Sequence, residues 1–176
     1  MMDRLIAATA AALAVVLRKS KAKVETIGAV LIYGLSRGYS LSNLRWIVSQ
    51  SALETGYWSN LGTSQDNNVF GMSCVATRKT TQIACRSINE VETSGVYRSI
   101  SSCVLDRFYW DNYWGLDSHK RSENYPAMVA ERYHASSAYG SSVTTTDCPD
   151  FGAIGIAWLV VFPLEIGLVL KVFKLI

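Results

Sequence analysis

From Phe151 to Leu170 the chain runs twenty residues with one charge, Glu165, and one proline, Pro163. A helix rises about 1.5 Å per residue, so such a run would reach roughly 30 Å, the thickness of a bilayer's hydrocarbon core. Asp147 and Asp150 precede the run, and Lys171 and Lys174 follow it. Almost no polar face is left for water, so residues 151–170 read as a transmembrane helix with a short basic tail, bringing the chain to a lipid bilayer. The other solution is a buried C-terminal helix kinked at Pro163. Glu165 speaks for it, because an acid in lipid is costly unless protonated or paired.

The opposite end is apolar too. Leu5–Leu17 is a 13-residue stretch with six alanines, followed by Arg18, Lys19, Lys21 and Lys23. It is short for a spanning helix and lacks a small-x-small cleavage site, and the basic cluster behind it is unlike a cleaved signal. Residues 1–23 therefore stand apart as an apolar and basic segment. A membrane-surface helix, an uncleaved anchor and a helix packed on the domain all remain open. The two ends also disagree about topology. Lys171 and Lys174 would keep the C-terminus cytoplasmic with the domain outside, while the cluster at 18–23 would hold the start of the domain inside.

Charge is informative once it is located. The chain of 176 residues carries 17 basic and 14 acidic side chains. Residues 1–23 hold five of the basic ones and a single acid, whereas residues 24–150 hold ten basic and twelve acidic ones. The folded middle is thus mildly acidic, which argues against a nucleic-acid-binding surface. With 49% hydrophobic and 18% charged residues, one packed domain is the expectation. There is no glycine-rich phosphate loop and no metal-ligand spacing, so no cofactor and no metal are expected. Of the four cysteines, Cys74 and Cys85 flank a threonine-rich stretch that reads as a hairpin, and a disulfide between them would suit an oxidising compartment. Four unpaired buried thiols are the alternative.

Helical periodicity runs through most of the middle. Ile27, Val30, Leu31 and Leu35 mark a helix over 25–36, closed by Gly38, and Leu41, Leu44, Ile47, Val48 and Leu53 mark another up to Gly56. Residues 60–68 read as loop, 69–98 as short strands or irregular hairpin, 99–114 as helix, and 122–143 as one or two short helices. The fold class expected is mainly α with a small β element.

Glu54 is the most informative position for chemistry. It ends an amphipathic helix, where the partial negative charge of the helix C-terminus disfavours a carboxylate. Leu53, Tyr57 and Trp58 beside it would exclude water. A carboxylic acid kept protonated near neutral pH is what a glycosidase needs to protonate a departing sugar oxygen. A solvated glutamate at a helix end is the plainer reading of these features alone.

The surrounding wording changes that balance. Gln50-Ser51-Ala52-Leu53-Glu54-Thr55-Gly56, followed by Asp66-Asn67-Asn68-Val69-Phe70-Gly71-Met72, resembles the glycoside hydrolase family 73-type glucosaminidases that cleave bacterial peptidoglycan. That family occurs in autolysins, flagellar muramidase-like proteins and phage lysins. Val96-Tyr97-Arg98-Ser99 is loosely similar to a further family segment. Tyr133-His134-Ala135-Ser136-Ser137-Ala138-Tyr139 is similar to its Tyr-Ala-Thr-Asp-Pro-x-Tyr block, although the Asp-Pro is missing. The likeness covers residues 24–145, in order.

The resemblance implies a lysozyme-like helical domain with a small β-hairpin lobe. It implies that Glu54 is the catalytic acid, that Tyr133 steadies the reacting centre, and that Asn67, Asn68 and Tyr139 lie along the glycan, with Phe70 belonging to the same binding block and packing under its loop. The segment between the Asn-Asn block and Tyr97 is shorter than the family's. Glu90 and Glu92 are the acids left there to act as a second carboxylate. Ordinary surface glutamates are the alternative, and Asp66 and Asp111 are weaker candidates still. Five aromatics within Phe108–Trp114 offer a wall on which sugar rings stack, with Trp110 or Trp114 facing a groove. The function expected is a membrane-tethered peptidoglycan glycosidase acting on glycan strands at a bacterial envelope or in a phage virion. It would work by hydrolysis or as a lytic transglycosylase. The rival is a structural or glycan-binding membrane or virion protein without turnover.

Overall fold

Short polar side chains open the helices of this chain. Ser20, Ser40, Asn60 and Ser99 each accept a hydrogen bond from the amide three residues on, satisfying one of the donors that a helix start leaves open. The computed structural model describes residues 2–133, 137–145 and 148–172. In it α1 (Met2–Leu17) is followed by α2 (Lys21–Ser36), α3 (Leu41–Thr55), α4 (Leu61–Asp66) and α5 (Ile100–Tyr113). A 3₁₀ turn (Leu116–His119), α6 (Tyr125–Tyr133), α7 (Ser137–Thr145) and α8 (Phe151–Val172) complete the helices. Between α4 and α5 lies a two-stranded antiparallel sheet, β1 (Ala84–Ser87) and β2 (Thr93–Val96), with Ala84 opposite Val96 and Ser87 opposite Thr93.

Helix α2 is the axis of the molecule. Its residues 24–31 are buried without interruption, and α1, α3, α5 and α8 all pack against it. A helix apolar nearly all round can only be a core helix. The one acid in this stretch, Glu25, accepts from the Ser101 amide at 3.2 Å and so caps the start of α5. Burial raises its pKa, against the opposing pull of that amide and of Lys21.

Both chain ends belong to this packing. α1 buries Ile6, Ala10, Leu13 and Ala14, and its Asp3 accepts from the Tyr33 hydroxyl at 2.6 Å and from Ser102 Oγ at 3.2 Å. The segment 1–23 is therefore a helix laid on the domain plus the turn into α2. α8 buries Ile154, Trp158 and Phe162. Trp158 lies over Gly28, where an added Cβ would stand 2.0 Å from the indole, and its Nε1 donates to the Val24 carbonyl at 2.9 Å. Among the described residues no helix is long and apolar enough to cross a membrane. The expected span over 151–170 runs beyond residue 163 and so lies in part outside the residues whose side chains are described. The first half of α8 is apolar all round and docks one side on α2, and the side chains from 164 onward lie outside the described residues.

Two local expectations change. The stretch 60–68 holds the single-turn helix α4 rather than loop alone, because Asn60 caps it and Asn67 ends it in the left-handed region. No hairpin lies between Cys74 and Cys85. The segment before β1 is irregular, and the disulfide joining these two cysteines ties it to β1.

Candidate functional site at the end of helix α3

Glu54 is the second-last residue of α3, which Gly56 closes in the left-handed region at φ 53°. The turn behind it is tightly tied. Thr55 Oγ1 accepts from the Trp58 amide, the Trp58 indole donates to Ser51 Oγ, and Ser51 Oγ donates to the Val69 carbonyl at 2.7 Å. That last bond brings the Asn-Asn loop against α3. Trp58 is buried in this arrangement, while Leu53 and Tyr57 are exposed, so neither of the latter covers Glu54 as expected. Glu54 is half-buried.

A chain of hydrogen bonds reaches Glu54 from the core. The Arg107 guanidinium, fully buried, is held by Asp111, which also accepts from the hydroxyls of Tyr125 at 2.6 Å and Tyr39 at 2.8 Å. Arg107 Nε donates to Gln50 Oε1 at 3.2 Å, and Gln50 Nε2 donates to the Tyr139 hydroxyl at 3.0 Å. Tyr139 then donates to Glu54 Oε1. The direction of every link follows from chemistry. A guanidinium only donates, so the Gln50 oxygen faces it and the Gln50 amide nitrogen faces Tyr139. With a donor on its oxygen, the Tyr139 hydrogen is turned onto Glu54. Burial raises the pKa of Tyr139, and the charge of Glu54 raises it further, so the phenol keeps its proton and remains a donor.

Tyr139, expected to line the glycan, donates its hydroxyl to Glu54. Tyr133 closes α6, but its side chain and His134 lie outside the described residues.

The Asn-Asn loop is spent largely on holding itself together. Asn68 is buried. Its Nδ2 donates to the Met72 carbonyl at 2.8 Å and to Ser94 Oγ at 3.1 Å, while its Oδ1 accepts from the Met72 amide at 2.9 Å. Its side-chain amide is a clamp between the loop and β2 rather than a group offered to a sugar. Asn67 caps α4, and its Nδ2 donates to the Tyr97 carbonyl at 2.9 Å. Phe70 is fully buried beneath the loop. Phe70 thus supports the loop from beneath, and Asn68, although it borders the larger hollow, has its side-chain amide engaged by Met72 and Ser94.

Two hollows open on either side of Gly71. One, of about 710 Å³, runs from Ser59 and Asn60 past Arg86 to Ile88 and Thr93 on the hairpin. Glu54 is not part of its lining but lies next to its near end, since Asn60 Nδ2 donates to the Glu54 carbonyl at 3.2 Å. The other hollow, of about 330 Å³, is walled by Trp110, Tyr113 and Trp114 and by Arg78 and Arg132. Trp110 and Trp114 meet edge to face at 6.4 Å, and the Arg107 guanidinium lies 4.7 Å from the Trp110 ring. Glu90 and Glu92 lie exposed in the turn between β1 and β2, where Glu92 accepts from Asn89, and neither lines either hollow. Asp66 is buried and ion-paired to Arg86 at 2.6 Å.

Arg86, Gln50 and Arg107 escaped the sequence reading. Gln50 stands one turn before Glu54 on the same helical face, and Arg107 precedes Asp111 by four residues, so both pairings had a spacing signal. Arg86 had none, because strand alternation alone does not say which face meets a groove. Among the described residues no group of His, Cys, Asp and Glu side chains could hold a metal ion. No protein-family model matches the sequence, and neither the curated proteins nor the solved structures yield a match to it.

Proposed function

We propose that this chain is a lysozyme-like peptidoglycan hydrolase of the glucosaminidase type, which cuts glycosidic bonds next to N-acetylglucosamine with Glu54 as general acid. The observation that carries this reading is the hydrogen bond from Tyr139 to Glu54. The two residues belong to separate motif blocks 85 positions apart, and Asn60, which lines the larger hollow, donates to the Glu54 main-chain carbonyl.

The arrangement suits proton donation. The hydrogen of Tyr139 is directed at Oε1 of Glu54, and the carboxyl proton of Glu54 is the one to be transferred. As the glycosidic bond breaks, its oxygen takes that proton and Glu54 becomes a carboxylate. The bond from Tyr139 is stronger to a carboxylate than to a carboxylic acid, so its contribution grows as the reaction proceeds. The negative end of helix α3 opposes the carboxylate form of the same group, while the bond from Tyr139 favours it. With Glu90 and Glu92 out on the hairpin turn, the anomeric carbon is met by the acetamido oxygen of the substrate itself or by an internal sugar hydroxyl. Arg86 forms part of the wall of the larger hollow, with its guanidinium held by Asp66 and Gln65. A peptidoglycan substrate would bring the protein to a bacterial envelope, or to a phage particle that breaches one.

Mass spectrometry of purified peptidoglycan after digestion tests the reading. New reducing ends at N-acetylglucosamine are expected, and anhydro-sugars would move the reaction to lytic transglycosylation. Binding with neither product would leave a glycan-binding module and overturn the enzymatic reading.

A further inference from the structure

We infer that α1 and α8 together form a face that lies flat in the interfacial layer of an anionic lipid bilayer. The two helices touch each other, and both rest on α2, so their outward sides open on the same side of the molecule. On a helix laid over a water-soluble domain, the outward side should be polar. Here it is not. The exposed residues of α1 from its middle onward are Ala8, Ala11, Ala12, Val15 and Val16, and those of α8 up to residue 163 are Gly152, Ala153, Ile156, Leu159, Val160 and Pro163.

The large ones are well out in solvent: Val15 is 79% exposed, Val16 75% and Ile156 66%. Two adjacent stripes without one polar side chain make a continuous apolar surface, of the kind that marks an interaction site rather than scattered exposure.

Charge around the face selects the occupant. Residues 1–23 carry five cations and one acid. That acid, Asp3, is turned inward to Tyr33 and Ser102. At the C-terminal end of α1, Arg18, Lys19 and Lys21 are exposed directly beside Val15 and Val16. The carboxylates facing this cluster are Asp150, shared by Lys19 and Lys23, and Glu25, 3.7 Å from Lys21. Arg4 is exposed at the other end of the stripe. An apolar face with a cationic border matches acyl chains beneath anionic headgroups. It is an in-plane contact, not a span, and it does not depend on the catalytic reading.

Sedimentation of the full chain with vesicles tests this. Vesicles of equal parts phosphatidylcholine and phosphatidylglycerol should carry the protein down, pure phosphatidylcholine much less, and added salt should weaken the binding. Val16→Asp on α1 and Ile156→Asp on α8 should each lower the affinity by about tenfold or more. Their helical circular dichroism should be unchanged, since both positions are exposed. Arg18→Glu, in the turn beyond α1, is a second variant that spares the helices and should weaken binding to the anionic vesicles alone. Failure to sediment with the mixed vesicles overturns the inference. So does undiminished binding of Val16→Asp, which would leave α8 alone as the anchor. Lipid-independent self-association abolished by the same variants would assign the face to a second copy of the chain.

Discussion

The contact between Tyr139 and Glu54 gives one hydroxyl a measurable task. Tyr139→Phe keeps the ring and removes the donor, so kcat on peptidoglycan should fall by about tenfold to a hundredfold with KM nearly unchanged. A KM effect without a kcat effect would make Tyr139 a glycan contact instead. At this scale the sequence was legible where residue type and spacing coincide with chemistry. Glu54 at the end of an amphipathic helix could be read as an acid held in a defined setting, and Cys74 with Cys85 as a pair. It was not legible where burial decides. Asn68 looks like a sugar ligand by type, yet it spends its side-chain amide on Met72 and Ser94. Nothing in a linear string separates an amide that clamps a loop from one that meets a ligand.

At the level of elements, the close approach of α2 and α8 depends on one missing methyl group. Gly28→Ala would drive a Cβ into the rigid indole of Trp158, and α8 must then move outward. Thermal or urea unfolding should show a loss of about 1–3 kcal/mol, the usual cost of overpacking, with Trp158 fluorescence shifted to the red. A variant as stable as wild type, with unshifted emission, would mean that α8 is not docked there. Apolar runs of this kind are ambiguous in sequence, because a helix buried on one side and a helix destined for lipid share the same composition. The α8 run read as a membrane span, and the fit of Trp158 over Gly28 shows that its first half docks on α2. The helices themselves were read well from 3.6-residue periodicity and capping serines. The hairpin was misplaced because β-branched threonines around residue 80 suggest strand, while pairing is set by the register of Ala84–Ser87 with Thr93–Val96.

For the molecule as a whole, buried phenols set its response to alkali. Burial is the largest influence on Tyr33, Tyr39, Tyr97, Tyr125 and Tyr139, and it raises all five pKa values, helped by Asp3, Asp111, Asp106 and Glu54 beside them. The buried Cys103 thiol is likewise pushed up to about 12. Each group holds its proton more tightly folded than unfolded. Its contribution is therefore complete below the ordinary tyrosine pKa of about 10 and declines as pH rises beyond it. The part of the tyrosinate absorbance that belongs to these five phenols should rise only together with the loss of circular dichroism, in one alkaline transition. Smooth ionisation of all tyrosines with the fold intact would contradict this burial.

The measurement closest to the centre of the account compares Glu54→Gln with wild type in the initial rate of peptidoglycan solubilisation, with circular dichroism matched. The amide keeps the shape and the acceptor for Tyr139 but has no proton to give. The account predicts a loss of about 10²–10⁴-fold in rate with glycan binding retained. Solubilisation at the wild-type rate would show that Glu54 is not the acid.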